Sequence, residues 1–274
     1  MDGRALLAVE RSDGQNRLAD LYMRDPLRLL FPRPPANEPF SAVLATISGG
    51  LVGGDRVAIE IEVRDRAALQ LVGQSAEKVY RSSGADTRVD VTLKAAPGAL
   101  MEMLPQGTIL FDGARLRRRV AIEAADDALV LAGEILTLGR AAMGEKLTRG
   151  LLSDRWFVSR GGRLVWADAL ALGGAPDGGM QALRSPSGFA EATALGTVIL
   201  LAREPTQALE LARGLLESCP AAVRGGASLV DGVLVARFLS ADGAALRNAF
   251  GQFWKGLRAG ACGLPERLPT IWQI

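Results

Sequence analysis

A long succession of short apolar runs, separated by glycine, proline or aspartate, is the feature that most constrains the fold of this chain. The runs extend from residue 41 to about residue 172, and their spacing is typical of an all-β architecture. Residues 57–63 show the pattern best, because valine and isoleucine there alternate with alanine and glutamate. A period of two places one side of a strand on a core and the other in water, so we predict strands.

The other apolar runs of this region extend the same pattern. They lie at residues 88–93, 100–104, 108–111, 120–123, 128–138, 155–159 and 164–172. No repeat of fixed period connects them, although stacked strands of similar length are compatible with a β-helix-like winding. We predict a mainly β fold of stacked strands, with no long amphipathic helix in this region.

The last third of the chain changes character. Pro205 is typical of a helix start, and apolar residues then recur at helical spacing up to Leu216. A second apolar stripe begins after Ser240, and Arg258 is predicted to lie off it. The members of this stripe are Leu246, Ala249, Phe250, Phe253, Trp254 and Leu257. We therefore predict about two α-helices, with a strand or two between them around residues 233–238.

The chain has 274 residues, enough for one large domain or two small ones. Four prolines between residues 32 and 39 indicate an irregular connector rather than a domain boundary. We predict a single domain over residues 1–274. Its parts are N-terminal strands with the proline-rich connector at 1–40, a β body at 41–204, and a helix-strand-helix part at 205–274.

The absence of histidine is the composition feature that most restricts function. It excludes Ser-His-Asp and Cys-His catalysis, the HExxH metal site and every imidazole metal cage. The two cysteines, Cys219 and Cys262, are 43 positions apart and are expected to be reduced, buried small residues of a cytoplasmic protein. Most familiar hydrolase mechanisms are therefore unavailable.

Charge and hydropathy restrict the partners. The chain has 32 Lys and Arg residues and 30 Asp and Glu residues, so its net charge is 32 − 30 = +2. This charge gives no excess of the kind that a nucleic acid partner requires. The N-terminal apolar run is too short for a signal peptide, and the longest apolar stretch, residues 192–202, is well below the roughly 20 residues that cross a bilayer. We expect a cytoplasmic protein that binds neither nucleic acid nor membrane.

Three polar motifs have a structural and a functional interpretation. The segment SGGLVGGD at residues 48–55 lacks both the Gly-Lys-Ser/Thr end of a P-loop and the helix start of a dinucleotide loop. We interpret its glycines as tight backbone turns. Glu77 begins a mixed-charge segment, residues 77–82, that fits either an active-site cluster or a strand edge. The three consecutive arginines at residues 117–119 are predicted to form a solvated face.

Glu134 and Asp168 each interrupt an apolar run. A carboxylate in such a place needs hydrogen-bond donors, a cation, water or a proton if it is buried. One interpretation is an exposed position of an alternating strand. The other is a wet polar channel through the domain.

Six separated blocks occur together in the order found in one family, and the chain resembles the urease accessory protein UreD family, also called UreH. The blocks are residues 48–55, 77–82, 104–115, 138–145, 154–156 and 268–272. They span nearly the whole chain. Two positions depart from the family pattern, since Gly107 replaces the usual acidic residue after Pro-Gln and Thr270 replaces the usual arginine.

The resemblance implies a fold, a function and a set of residues. The fold is a β-helix-like body with a pair of helices. The function is that of a non-catalytic maturation factor that binds the urease structural subunits, recruits UreF and through it the GTPase UreG, and assists nickel insertion. Nickel would be in transit, without a tightly bound cofactor. In the family, internal acidic residues are proposed to line a tunnel for the metal, and Glu77, Glu134 and Asp168 look like the matching positions.

A second function class stays open from the residues alone. A carboxylate-dependent glycoside hydrolase or lyase on a β-helical scaffold would use Glu134 and Asp168 as acid and base. Such a cleft normally carries exposed aromatic side chains for sugar stacking, whereas only 5% of this chain is aromatic. Passage of nickel through the protein agrees better with these residues than catalysis does, because oxygen ligands and water hold Ni(II) less firmly than thiolate or imidazole.

Overall fold

The computed structural model describes residues 1–173 and 179–272. Residues 174–178 and 273–274, which fall in the predicted β body and C-terminal part, lie outside the described residues. In chain order the strands are β1 (Asp2–Ser12), β2 (Gln15–Arg24), β3 (Leu27–Leu30), β4 (Phe40–Thr46), β5 (Arg56–Val63), β6 (Ala68–Gly73), β7 (Glu77–Val79), β8 (Thr87–Ala95), β9 (Leu100–Leu104), β10 (Thr108–Leu110), β11 (Arg115–Ala124), β12 (Leu129–Leu138), β13 (Leu151–Arg160), β14 (Arg163–Gly173), β15 (Ala194–Leu201), β16 (Arg224–Val230) and β17 (Val233–Ser240). The α-helices are α1 (Pro205–Glu217) and α2 (Gly243–Cys262), and short 3-10 turns occupy Ala141–Met143, Gly179–Leu183 and Thr270–Trp272.

The strands form two sheets. Sheet A has the spatial order β14-β13-β11-β8-β5-β1-β2, and sheet B has the order β16-β17-β15-β12-β9-β6-β4-β3. Strands β5, β8, β11 and β13 are parallel neighbours in sheet A, as are β4, β6, β9 and β12 in sheet B. The chain thus winds a β-solenoid of about 4 turns. The predicted mainly β, β-helix-like fold with two late α-helices is confirmed.

The register of the parallel strands stacks equivalent residues of successive turns. Residues 56–63 pair one for one with residues 88–95, and residues 88–95 pair with residues 117–124. Side chains at one level of these strands point to the same side of the sheet. In β5 the predicted alternation holds, because Val57, Ile59, Ile61 and Val63 are buried. Each level of the solenoid is therefore a row of side chains that runs across several strands.

Three apolar clusters form the core. The first fills one end of the solenoid interior, with members such as Ile61, Leu93 and Ile122. The second lies between sheet B and the two α-helices. The third fills the other end of the interior and includes Leu116 and Leu152. The interior therefore contains two apolar zones at different levels, and the polar residues described below lie between them.

Helix α2 covers the outer side of sheet B with the predicted apolar stripe. Asp242 caps its start by accepting hydrogen bonds from the backbone N–H groups of Ala244 and Ala245, and Gly263 ends it at a φ of 65°. All six residues of the stripe are buried. The placement of Arg258 off the stripe was wrong, because its side chain is completely buried. In the described residues no helix is long and apolar enough to span a membrane.

Arg258 is buried because a carboxylate lies beneath it on sheet B. Glu102 accepts hydrogen bonds from Arg258 Nε at 2.7 Å, from Trp254 Nε1 at 2.6 Å and from Gln70 Nε2 at 2.7 Å. A buried ionised carboxylate requires such donors. The helix is thus fixed on the sheet by a charged anchor within an otherwise apolar contact.

The same arginine holds the proline-rich connector and the C-terminal segment. Arg258 forms an ion pair with Glu38 of the connector, 220 positions earlier in the chain, and donates to the backbone carbonyls of Pro265 and Arg267. Arg267 Nε also donates to Glu38 Oε1 at 2.5 Å. The connector, sheet B, α2 and the C-terminal segment therefore meet at one guanidinium group.

Candidate functional site

A band of adjacent levels in the solenoid interior is polar across sheet A and sheet B. On β11 the inward positions run Leu116, Arg118, Val120, and on β12 Glu134 lies between Ala132 and Leu136. In the ladders Arg118 pairs with Asp154, whereas Asp168 pairs with Trp156 and Thr108 pairs with Leu136, each one inward position away. The polar residues of this band are Glu77, Thr108, Arg118, Glu134, Asp154, Asp168, Thr197 and Arg237. We call this set the polar layer. It separates the two interior apolar clusters.

Arg118 is the centre of the polar layer. Its guanidinium binds Asp154 with two hydrogen bonds, Nε to Oδ1 at 2.9 Å and Nη2 to Oδ2 at 2.7 Å. Its Nη1 atom lies 2.8 Å from Glu134 Oε2. The side chains of Arg118, Glu134 and Asp154 are only 5%, 8% and 7% exposed. One buried cation is therefore shared by two buried carboxylates.

The electrostatics of this triad follow from burial and from charge. Burial raises the pKa of Glu134, and although Arg118 opposes this effect, the nearby charge of Asp154 adds to it. Thr108 Oγ1 also donates to Glu134 Oε1 at 3.0 Å. Burial alone lowers the pKa of Arg118, but the two carboxylates outweigh it and leave the pKa raised. Arg118 therefore stays charged.

Asp168 lies at the opposite side of the polar layer. Its Oδ2 atom is 2.6 Å from Arg237 Nη2, and the two side chains are 34% and 35% exposed. Arg237 Nη1 also donates to Thr197 Oγ1 at 3.2 Å. Thr197 is the register partner of Glu134 across β12 and β15. The layer thus runs from a buried centre to a half-exposed edge of the solenoid.

Glu77 lies at the other end, beside an internal cavity. Thr46 Oγ1 donates to Glu77 Oε2 at 2.5 Å, and burial raises the pKa of Glu77 despite this bond. In the ladder, Glu77 pairs with Thr108. The cavity has a volume of about 170 Å³, and its polar lining residues include Glu77, Thr108, Arg118 and Glu134, together with Lys78 and Gln106.

A larger groove of about 570 Å³ lies next to this cavity. The segment around Gly107 borders both spaces, together with Ser75 and Ala76. Gly107 has a φ of 102°, and a Cβ atom there would lie 2.9 Å from the carbonyl oxygen of Ile135. The backbone at this departure from the family pattern therefore leaves no room for a side chain in its present conformation.

The predicted site residues all lie in the polar layer, but they are not in mutual contact. Glu77 and Glu134 both line the cavity, whereas Asp168 is separated from Glu134 by Thr197 and Arg237. The interpretation of Glu134 as an exposed strand position was wrong, because its side chain is buried. Among the described residues, no group of three or more His, Cys, Asp or Glu side chains is placed to hold a metal ion.

Sequence reasoning missed the cations of the layer. The prediction that residues 117–119 form a solvated face was wrong for Arg118, which points inward to Glu134 and Asp154. A signal was present, because Leu116 and Val120 flank it at period two and mark the inward positions of the strand. Asp154 lay in one of the quoted blocks, but its charge gave no indication of its partner.

Comparison with known proteins places the chain in a family. The family model described as "UreD urease accessory protein" matches residues 1–273. A protein of Magnetococcus marinus named "Urease accessory protein UreD" is 44% identical over 278 residues, covering 100% of this chain and 94% of that protein. "Urease accessory protein UreD 2" of Methylorubrum populi is 41% identical, covering 96% of this chain and 85% of that protein. The chain belongs to the UreD urease accessory protein family.

Proposed function

We propose that this protein is a urease maturation factor that catalyses no reaction of its own. It binds the urease structural subunits, acts with UreF and through UreF with UreG, and assists insertion of nickel into the urease active site. The observation that carries this proposal is the family match over residues 1–273. The relatives are named accessory proteins, in agreement with a role that supports another enzyme.

The polar layer supports a path for the metal ion through this subunit. It combines carboxylate and hydroxyl oxygens, which suit weak and exchangeable binding of Ni(II) better than thiolate or imidazole. Glu77 and Glu134 line the cavity at one side, and Asp168 lies at a half-exposed edge at the other side. Nickel would enter as cargo and leave for the urease subunits.

The partners of the carboxylates fit transit rather than storage. Arg118 already satisfies Glu134 and Asp154, and Arg237 satisfies Asp168. A passing cation must compete with these guanidinium groups, which lowers its residence time at each carboxylate. The same contacts argue against the glycoside hydrolase or lyase, because an acid-base pair must reach substrate and Glu134 is enclosed and ion-paired.

The test is urease activation in cells at limiting nickel. We expect the double variant Glu134→Gln with Asp168→Asn to fold and to co-purify with the urease subunits and UreF, but to yield poorly activated urease. Glu210→Gln with Glu217→Gln on the exposed side of α1 is the matched control, because it removes two carboxylates outside the polar layer. Full activation by the double variant would reject the path. Failure of the unaltered chain to co-purify with the urease subunits, with or without UreF, would reject the maturation role.

A further inference from the structure

The outer side of sheet A carries a row of arginines in direct register. Arg56 of β5 pairs with Arg88 of β8, and Arg88 pairs with Arg117 of β11. All three side chains are exposed. Adjacent strands are about 4.8 Å apart, so three like charges lie side by side on the sheet surface.

A second row lies two residues further along the strands. Arg119 of β11 pairs with Arg155 of β13 on one side and with Asp90 of β8 on the other. The guanidinium of Arg119 lies over the ring of Phe157, 5.3 Å from its centroid. We call the group of Arg56, Arg88, Arg117, Arg119 and Arg155 the arginine face.

Folding does not account for the arginine face. Like charges directly opposite one another destabilise a sheet. Arg117 is compensated by Asp86 at 2.5 Å, but Asp86 is shared with a neighbouring arginine of β11. Within residues 1–173 and 179–272, the side chains of Arg56, Arg88 and Arg155 form no ion pair or hydrogen bond. The chain therefore maintains a repulsive cluster that an external anion would relieve.

The surroundings indicate the type of partner. The outer side of sheet B is covered by α1 and α2, whereas the side chains of the arginine face are exposed. None of the exposed large apolar side chains of the described residues lies on β5, β8, β11 or β13, so there is no apolar anchor for a membrane. Phe157 is covered by Arg119 and offers no free ring for base stacking. The net charge of +2 gives little attraction for a polyanion.

We propose that the arginine face docks a carboxylate-rich surface of a folded protein partner. Guanidinium groups bind carboxylates through paired hydrogen bonds, and arginines held side by side by strand register match an acidic protein surface. This inference rests on the proposed function, under which the partner is the urease apoprotein. The face then fixes the orientation of the solenoid on that protein, since sheet A meets the partner and the helices point away.

The experiment measures binding of purified urease apoprotein to the full chain at about 50 to 500 mM NaCl. For Arg88→Ser with Arg155→Ser we expect binding at low salt to weaken by about tenfold or more, with a shallower salt dependence. The matched control is Arg203→Ser with Arg213→Ser, which removes the same charge from exposed positions before and on α1. The control is expected to bind within about twofold of the unaltered chain.

The outcomes are separable. If the unaltered chain binds apoprotein and the arginine variants bind equally well, the docking surface lies elsewhere and only this inference fails. If the unaltered chain binds no apoprotein either with or without UreF, the proposed function fails. Heparin, single-stranded DNA and phosphatidylserine vesicles serve as alternative anions. Tight binding of any of these that depends on Arg88 and Arg155, while apoprotein binding does not, would overturn the assignment to a protein partner.

Discussion

Removal of the buried cation of the polar layer tests the electrostatic account of the interior. Arg118→Met keeps most of the side-chain volume but leaves Glu134 and Asp154 without their shared partner. The loss includes two hydrogen bonds to Asp154 at 2.9 and 2.7 Å and the contact to Glu134 at 2.8 Å. Breaking a buried pair by removing one partner costs about 3–5 kcal/mol. At about 2–4 °C per kcal/mol in a domain approaching this size, the Tm should fall by roughly 6–20 °C.

The assay is urea and thermal unfolding followed by circular dichroism at several pH values. Arg117→Met is the matched control, because the adjacent arginine is exposed and its ion pair is expected to contribute less than about 1 kcal/mol. The deficit of Arg118→Met should shrink as the pH falls, since protonation removes the uncompensated charges. Adding Glu134→Gln and Asp154→Asn should recover much of the stability. An Arg118→Met variant no less stable than Arg117→Met would refute the reasoning.

Three further outcomes follow from single sites. Burial raises the pKa of Glu77, so ionisation of its carboxyl destabilises the fold as the pH rises through this raised pKa. Glu77→Gln should therefore unfold at a higher temperature than the unaltered chain at pH 8, but not at pH 4. Gly133→Ala should lower the free energy of unfolding by about 1–3 kcal/mol in urea titrations, because the new Cβ would lie 2.8 Å from the ring of Phe250. Burial raises the pKa of the partly buried Cys262 to about 12. In a Cys219→Ser background, iodoacetamide at pH 8 should therefore label Cys262 much more slowly in the folded chain than after unfolding, and equal labelling rates would contradict the raised pKa.

The fold was predictable because strand and helix periodicity are local signals. Alternation in residues 57–63 gave both the strand and the side that is buried, as the burial of β5 confirms. The stacking order was not available from periodicity, since the alternation within one strand does not indicate which strand lies beside it. The β-helix-like winding came instead from the family resemblance, which uses motifs spread over the whole chain.

The candidate site was predictable only where a polar residue broke an apolar run. Glu134 gave that signal, because its strand is apolar on both sides. Arg118 did not, because its neighbours in sequence are also arginines and the triplet looks uniformly solvated. Arg258 was missed for a related reason: it lies four residues after Trp254 on the buried side of α2, but its charge suggested exposure. Arg118 and Arg258 are buried because of carboxylate partners that are distant in sequence, and no local pattern indicates those partners.

The ionic contact between Arg258 and Glu38 also bears on how the molecule is made during translation. A ribosome releases the connector long before α2, since the two partners are 220 positions apart. Until the second helix emerges, Glu102 has neither Arg258 nor Trp254 as a donor, and the outer side of sheet B lacks its cover. Completion of the native state must therefore wait for the last part of the polypeptide. Until then the nascent chain exposes an aggregation-prone sheet surface that is apolar and partly charged.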